Sequence, residues 1–146
     1  MKRLLVIEDG HEYEEFAKLF LAEAFDIVGA RSAEEALASI GERPPDAILL
    51  DLRFDRTPKE ALIGSIEETA QRLFAGNTDR ALRYLREQQG ALVLSEIREA
   101  GCDAPAVFVH DFPKRRLANL RKMYGAVEAV ASFDAAAILD ALGAAK

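Results

Sequence analysis

Leu4-Leu5-Val6-Ile7-Glu8-Asp9 is an apolar, partly β-branched run that stops abruptly on two acids. A run that is apolar at every position reads as a strand covered on both faces, the situation of a parallel sheet. Similar runs follow at 27–30, 47–50, 106–109 and 127–131, so five strands are expected. Between the first two, Tyr13, Phe16, Ala17, Phe20, Leu21 and Ala24 recur at three- and four-residue steps and predict a helix with one apolar face. Ser32-Ala33-Glu34-Glu35 reads as a capping box ahead of Ala36, Leu37 and Ile40, and Pro44-Pro45 stops that helix before the third strand. Leu117, Leu120 and Tyr124 form a helix face after the fourth strand, as do Ala135, Ile138, Leu139 and Leu142 after the fifth. Strands that alternate with helices pair in parallel through crossovers, so the expected class is α/β, doubly wound.

The chain has 146 residues, half of them apolar, which is enough for one core without a disulfide or metal staple, and one domain over 1–146 is expected. Nineteen basic against 25 acidic residues give a net charge of -6, which argues against a dedicated nucleic-acid binder. The single cysteine, Cys102, has no partner for an internal disulfide, and no paired Cys/His spacing of a zinc site occurs. The apolar run before Glu8 is too short for a secretory signal, and no stretch approaches the roughly 20 apolar residues of a membrane span. A cytoplasmic protein without membrane contact is the expectation.

Residues 52–89 are far longer than an ordinary strand-to-helix loop. Thr57-Pro58-Lys59-Glu60 has the form of a capping box with proline at the first helical position, followed by Leu62, Ile66, Ala70 and Leu73 at helical steps. Gly76-Asn77 can close that helix. Asn77 or Thr78 can cap the next, which carries Leu82 and Leu85 and can run past Gly90 through Ile97. The segment 52–89 is therefore expected to be a helical insertion, in one of two forms: an inserted helical hairpin, or one extra helix followed by an extended third helix.

In doubly wound sheets the ligand site lies beyond the carboxyl ends of the strands. Here those positions hold Glu8-Asp9, Asp51, His110-Asp111 and Ser132. Three clustered carboxylates repel one another unless a cation such as Mg²⁺ sits among them or one is protonated. A carboxylate beside such a cation can attack a phosphoryl donor and become an aspartyl phosphate.

On these residues the sequence resembles the receiver domain of two-component response regulators. The matching pieces are Leu4-Leu5-Val6-Ile7-Glu8-Asp9, Pro45-Asp46-Ala47-Ile48-Leu49-Leu50-Asp51-Leu52, Ala104-Pro105-Ala106-Val107-Phe108-Val109 and Gly125-Ala126 ahead of the fifth strand. The resemblance implies a five-stranded parallel sheet of flavodoxin-like (CheY-like) type with strand order 2-1-3-4-5. It implies that Glu8 and Asp9 hold Mg²⁺ together with Asp51 and the backbone carbonyl of Arg53, and that Asp51 accepts the phosphoryl group. It implies a sensor histidine kinase or phosphotransfer protein as donor. His110 stands where the family has Thr or Ser, Ser132 where it has its fifth-strand lysine, Phe133 where a proline usually follows, and Ala129 where it has an aromatic switch residue. Arg53, Arg56, Lys114, Arg115 and Arg116 are the cations that can compensate for the missing lysine.

The leading expectation is a stand-alone receiver, not an enzyme, because the chain ends soon after the fifth-strand helix; its output is then contact with a downstream protein. The alternative is a non-phosphorylated pseudo-receiver that acts as an interaction scaffold. A phosphatase that uses Asp51 as nucleophile fits poorly, since Arg53 occupies the position where an acid is needed and Gly10 stands without the repeated glycines of a phosphate loop. Arg80, Arg83 and Arg86 on the insertion, and Lys114, Arg115, Arg116, Arg121 and Lys122 after the fourth strand, read either as solvated faces or as a partner surface. The stripe Leu62, Ile66, Ala70 and Leu73 packs either on the chain's own third helix or in a homodimer.

Overall fold

A computed structural model describes residues 1–131 and 133–144. Five parallel strands, β1 (Lys2–Ile7), β2 (Phe25–Ala30), β3 (Ala47–Leu50), β4 (Ala106–Val109) and β5 (Val127–Val130), form one sheet in the order β2-β1-β3-β4-β5. The helices are α1 (Glu12–Phe20), α2 (Ala33–Glu42), α3 (Ile66–Leu73), α4 (Thr78–Glu99), α5 (Lys114–Tyr124) and α6 (Ala135–Ala144). This is the doubly wound arrangement, with its switch point between β1 and β3, where the chain's progress across the sheet reverses.

Leu4–Ile7 of β1 and all of β3 and β4 are apolar and buried because both faces of the sheet are covered there, whereas the edge strands β2 and β5 are only partly buried and carry Asp26 and Glu128. Leu5, Ile7, Ile48, Leu50 and Phe108 pack with α2, α4 and α5 on one side; Leu4, Val6, Leu49, Val107 and Val109 pack with α1 and α6 on the other. In the first helix the apolar stripe divides: Ala17 and Leu21 are buried, whereas Phe20 remains 59% exposed. Arg98, near the end of α4, donates to the carbonyls of Tyr124, Cys102, Ala104 and Ala126, tying together the turns that enter β4 and β5. None of the helices, among the described residues, is long and apolar enough to cross a membrane.

Between β3 and β4 the second of the two expected forms is found, one extra helix and a 22-residue α4. The start of the extra helix differs from the reading of Thr57-Pro58-Lys59-Glu60. That stretch makes only a 3-10 turn, Lys59–Ala61, and Thr57 is buried without capping anything. The α-helix begins eight residues later, where Ser65 accepts from the Glu68 amide. The backbone is already extended at Leu62, and Gly64 with φ 103° then separates the turn from the helix that follows. Leu62 consequently lies outside α3 and Leu73 is 48% exposed, so the expected stripe is not one buried face; Thr69 and Ala70 are the residues buried from α3. Ser32 and Asn77 cap α2 and α4 as their sequence positions predict. Replacing Ser65 with Ala should lower stability in denaturant melts by about 1 kcal/mol. Thr57→Val should change it by no more than about 0.5 kcal/mol.

Candidate functional site

The site is assembled at the carboxyl ends of β1 and β3. Ile7 pairs with Leu50, and the Asp51 amide donates to the Ile7 carbonyl at 3.0 Å, so Glu8 and Asp51 leave adjacent strands side by side. Glu8, Asp9 and Asp51 line one cavity of about 270 Å³, together with Tyr13, Arg53 and Arg56 among others. The three acids expected to converge do so.

Each has different partners. Glu8 is buried, and its two carboxylate oxygens accept from the amides of Tyr13 at 3.0 Å and Glu14 at 2.8 Å. It therefore caps α1, whose N-cap residue His11 makes no side-chain cap of its own. Burial raises the Glu8 pKa even against these two amides, which pull it down. Asp9 accepts from the Arg56 amide at 2.6 Å. Asp51 accepts on Oδ1 from the Tyr13 hydroxyl at 3.3 Å and from the Arg53 amide at 3.3 Å; among the described residues Oδ2 has no hydrogen-bond partner. Burial above all, reinforced by the charges of Asp9 and Glu8, pushes Asp51 up to about 6, against the Arg53 amide and the Tyr13 hydroxyl. Like charge at the switch point is thus accommodated partly by protonation, one of the two routes that clustered carboxylates have.

Tyr13 is the cavity residue that the sequence pattern hides, because its helical spacing counts it among core positions. Its hydroxyl lies 3.3 Å from Asp51 Oδ1 and 3.4 Å from the Val109 carbonyl, bridging the tips of β3 and β4. Burial, then the negative charge of Asp51, raises the pKa of this phenol, which keeps it a hydrogen-bond donor. Its ring meets Phe133 edge-on at 4.7 Å, and Phe133 forms another part of the cavity wall.

The remaining candidates are placed as follows. His110 leaves β4 but does not line the cavity; its ring packs against Phe112 at 4.8 Å, and burial followed by the charges of Arg116 and Arg53 lowers its pKa. Ser132 lies outside the described residues. Of the five cations, Arg53 and Arg56 line the cavity. Arg56 makes a two-point contact with Glu12, at 2.6 and 3.2 Å, and its hydrogen bonds hold the Glu12 carboxyl down to about 2. Arg116 bonds Gln88 and lies over the Phe112 ring, Arg80 lies over Phe74, Arg86 donates to the Thr57 carbonyl and Arg121 pairs with Glu128. Much of the basic run is therefore engaged within the molecule.

The oxygen-rich cavity suits a hard cation. Among the described residues no three His, Cys, Asp or Glu side chains converge as a ready-made metal cage, whereas Mg²⁺ asks for only one or two carboxylates and keeps several waters. Asp9 and Asp51 are the carboxylates in the cavity that could hold such an ion, and among the described residues nothing donates to the Arg53 carbonyl.

The chain has the fold of response-regulator receiver domains. It superposes on the receiver domain of NtrX from Brucella abortus with a TM-score of 0.64 at 18% identity, covering 97% of this chain and 96% of that one. For the receiver domain of the Francisella response regulator 1452 the values are 0.65 and 14%, covering 99% and 96%. For a two-component response regulator from Clostridium difficile they are 0.65 and 16%, covering 99% and 95%. It spans 26–28% of longer NtrX chains of Brucella abortus. The sequence matches no family model and no curated protein. At these identities the likeness establishes the fold.

The raised pKa of Asp51 has a consequence for stability. The folded chain keeps this proton up to about pH 6 whereas a free aspartate loses it near 3.8, so between those values the folded state binds more protons and stability falls as pH rises. Asp51→Asn should therefore stabilise the protein at pH 7.5, by about 1–2 kcal/mol once solvent screening at this open site is allowed for, and should change it little at pH 4. Urea melts of the two proteins across this range measure it.

Proposed function

We propose that the chain is a phosphoacceptor signalling domain: Asp51 takes a phosphoryl group from a phosphohistidine, with Mg²⁺ in the pocket, and the chain acts through protein contacts. The single observation that carries this reading is the asymmetric tethering of Asp51. One carboxylate oxygen is held by Tyr13 and Arg53, and the other is without a partner among the described residues, beside Asp9 in the shared cavity. The Brucella, Francisella and Clostridium proteins that share this fold are receiver domains or response regulators, which supports a signalling role over a catalytic one.

Asp9, Asp51 and the Arg53 carbonyl would hold the metal, with Glu8 placed behind them as the anchor of α1. Bound there, Mg²⁺ would draw off negative charge from the transferring oxygens. The chain's own part is to orient the acceptor. With Oδ1 restrained, Oδ2 forms the new bond to phosphorus while the phosphorus–nitrogen bond of the donor breaks. The electron pair of that bond returns to the imidazole nitrogen, which takes a proton from water. Arg53 and Arg56 also line the cavity, with the Arg56 guanidinium paired to Glu12 and that of Arg53 near Asp55 and Glu87. A sensor histidine kinase or phosphotransfer protein in the cytoplasm is the donor this chemistry asks for, and the output is a downstream protein or a second copy of the chain.

A scaffold that stays in one state is the second reading. The 2.6 Å bond from the Arg56 amide to Asp9 favours it, because that bond engages an oxygen the metal would use. Intact-mass analysis after incubation with phosphoramidate decides between the two. The expected result is one added phosphoryl group with Mg²⁺, none with chelator, none on Asp51→Asn, and severalfold slower addition on Tyr13→Phe. No addition under any condition favours the scaffold.

A further inference from the structure

The segment that follows Asp51 is bound to a helix by main-chain hydrogen bonds. The Gly90 amide donates to the Leu52 carbonyl at 2.8 Å, and the Arg86 carbonyl accepts from the Phe54 amide at 2.9 Å. In an uninterrupted α-helix the amide of residue 90 and the carbonyl of residue 86 pair with each other. Here a loop reaches both groups while α4 runs on without a break, and the loop lies along that turn much as a strand lies along a sheet edge. Leu52 and Phe54 are buried on either side of the exposed Arg53.

Approach this close requires glycine. A Cβ on residue 90 would overlap the Asp51 carbonyl oxygen and stand 2.7 Å from the Leu52 Cα, both of them main-chain atoms that cannot swing aside. The preceding residue of the helix has another duty. Gln89 is buried, its side-chain oxygen accepts from the Ile63 amide at 2.6 Å, and its nitrogen donates to the carbonyls of Ile63 and Leu85. One turn of α4 therefore grips both the start of the long connection, at 52–54, and its middle, at residue 63.

We propose that Gly90 is a positioning residue for the acceptor site: through its main chain, helix α4 sets where Asp51 and the Arg53 carbonyl stand relative to Asp9. This rests on the acceptor reading above. Asp51 and the Arg53 carbonyl belong to one stretch of three residues, and that stretch has α4 on one side and the cavity on the other. Raising the stretch off the helix shifts both oxygen donors together relative to Asp9, which follows a different strand. Coupling of this kind is reciprocal, so occupancy of the cavity must in turn alter the turn of α4 at 86–90.

The test compares wild type, Gly90→Ala and Ala91→Gly, the last as a control that weakens the same helix without filling the contact. Mg²⁺ titration is followed by amide resonances, with intact mass after phosphoramidate as a separate readout. Gly90→Ala is expected to lose about tenfold or more in Mg²⁺ affinity, the range seen when the residues behind metal ligands are altered, while Ala91→Gly keeps the wild-type value. Equal affinity in wild type and Gly90→Ala overturns the proposal. If Gly90→Ala does not fold, hydrogen exchange in wild type decides: the Phe54 amide should be protected far beyond its Arg53 neighbour and change its exchange rate on Mg²⁺ saturation, and a Phe54 amide that exchanges freely overturns the proposal. A wild type that takes up neither Mg²⁺ nor a phosphoryl group refutes the acceptor reading alone. In that case the positioning claim stands on protection of Phe54 in the metal-free chain and falls without it.

Discussion

Parallel pairing of β1 with β3 forces negative charges together at one edge of the sheet, and the surrounding structure is organised around that crowding. The ladder puts Glu8 beside Asp51, and Asp9 follows directly. Each acid meets the problem differently. Glu8 spends its charge on the amino end of α1, where two amides and the helix dipole offset much of the cost of its burial. Asp9 takes an amide from the far side of the β3–α3 connection. Asp51 keeps its proton to a higher pH than a free aspartate does. Asp9 and Asp51 each keep one carboxylate oxygen without a hydrogen-bond partner among the described residues.

The roles are linked through α1. The amide that Glu8 Oε1 receives belongs to Tyr13, the same residue whose hydroxyl reaches Asp51. One buried carboxylate thereby fixes the first turn of a helix, and that turn delivers a donor to a second carboxylate on the neighbouring strand. Arg56 joins the opposite wall in the same manner: its amide holds Asp9 while its guanidinium holds Glu12, at the start of α1. The cavity is closed on two sides by contacts that converge on one helix terminus.

How much of this was legible in the sequence depended on whether the information resided in side-chain pattern or in main-chain geometry. The strands announce themselves as short apolar runs, and Ser32 and Asn77 as caps, because both signals are local. Thr57-Pro58-Lys59-Glu60 has the same local form yet caps nothing, since the backbone turns extended at Leu62 and passes through a positive φ at Gly64 before the helix begins. Phe20 and Leu73 fit their helical stripes and stay exposed, because periodicity selects a face without saying what covers it. The acids at the strand ends were readable because strand order and strand ends together locate the switch point. Tyr13 was not, as a tyrosine at core spacing gives no hint of where its hydroxyl goes. His110 was placed on the correct strand end, but its ring turns to Phe112 and away from the cavity.

What pattern reading misses most is the work of amides. The contacts that set this site run from the main chain of Tyr13, Glu14, Arg53, Arg56 and Gly90, and any residue but proline carries an amide. Such contacts constrain where the backbone must pass and leave most side chains unspecified. That explains how a chain with 14–18% identity to solved receivers can follow their path over at least 97% of its length. The exception is the place where the backbone passes so near a helix that a side chain has no room. At residue 90 geometry reaches back and dictates the residue, and in a helical pattern the only trace of that demand is one glycine where another residue would make the better helix.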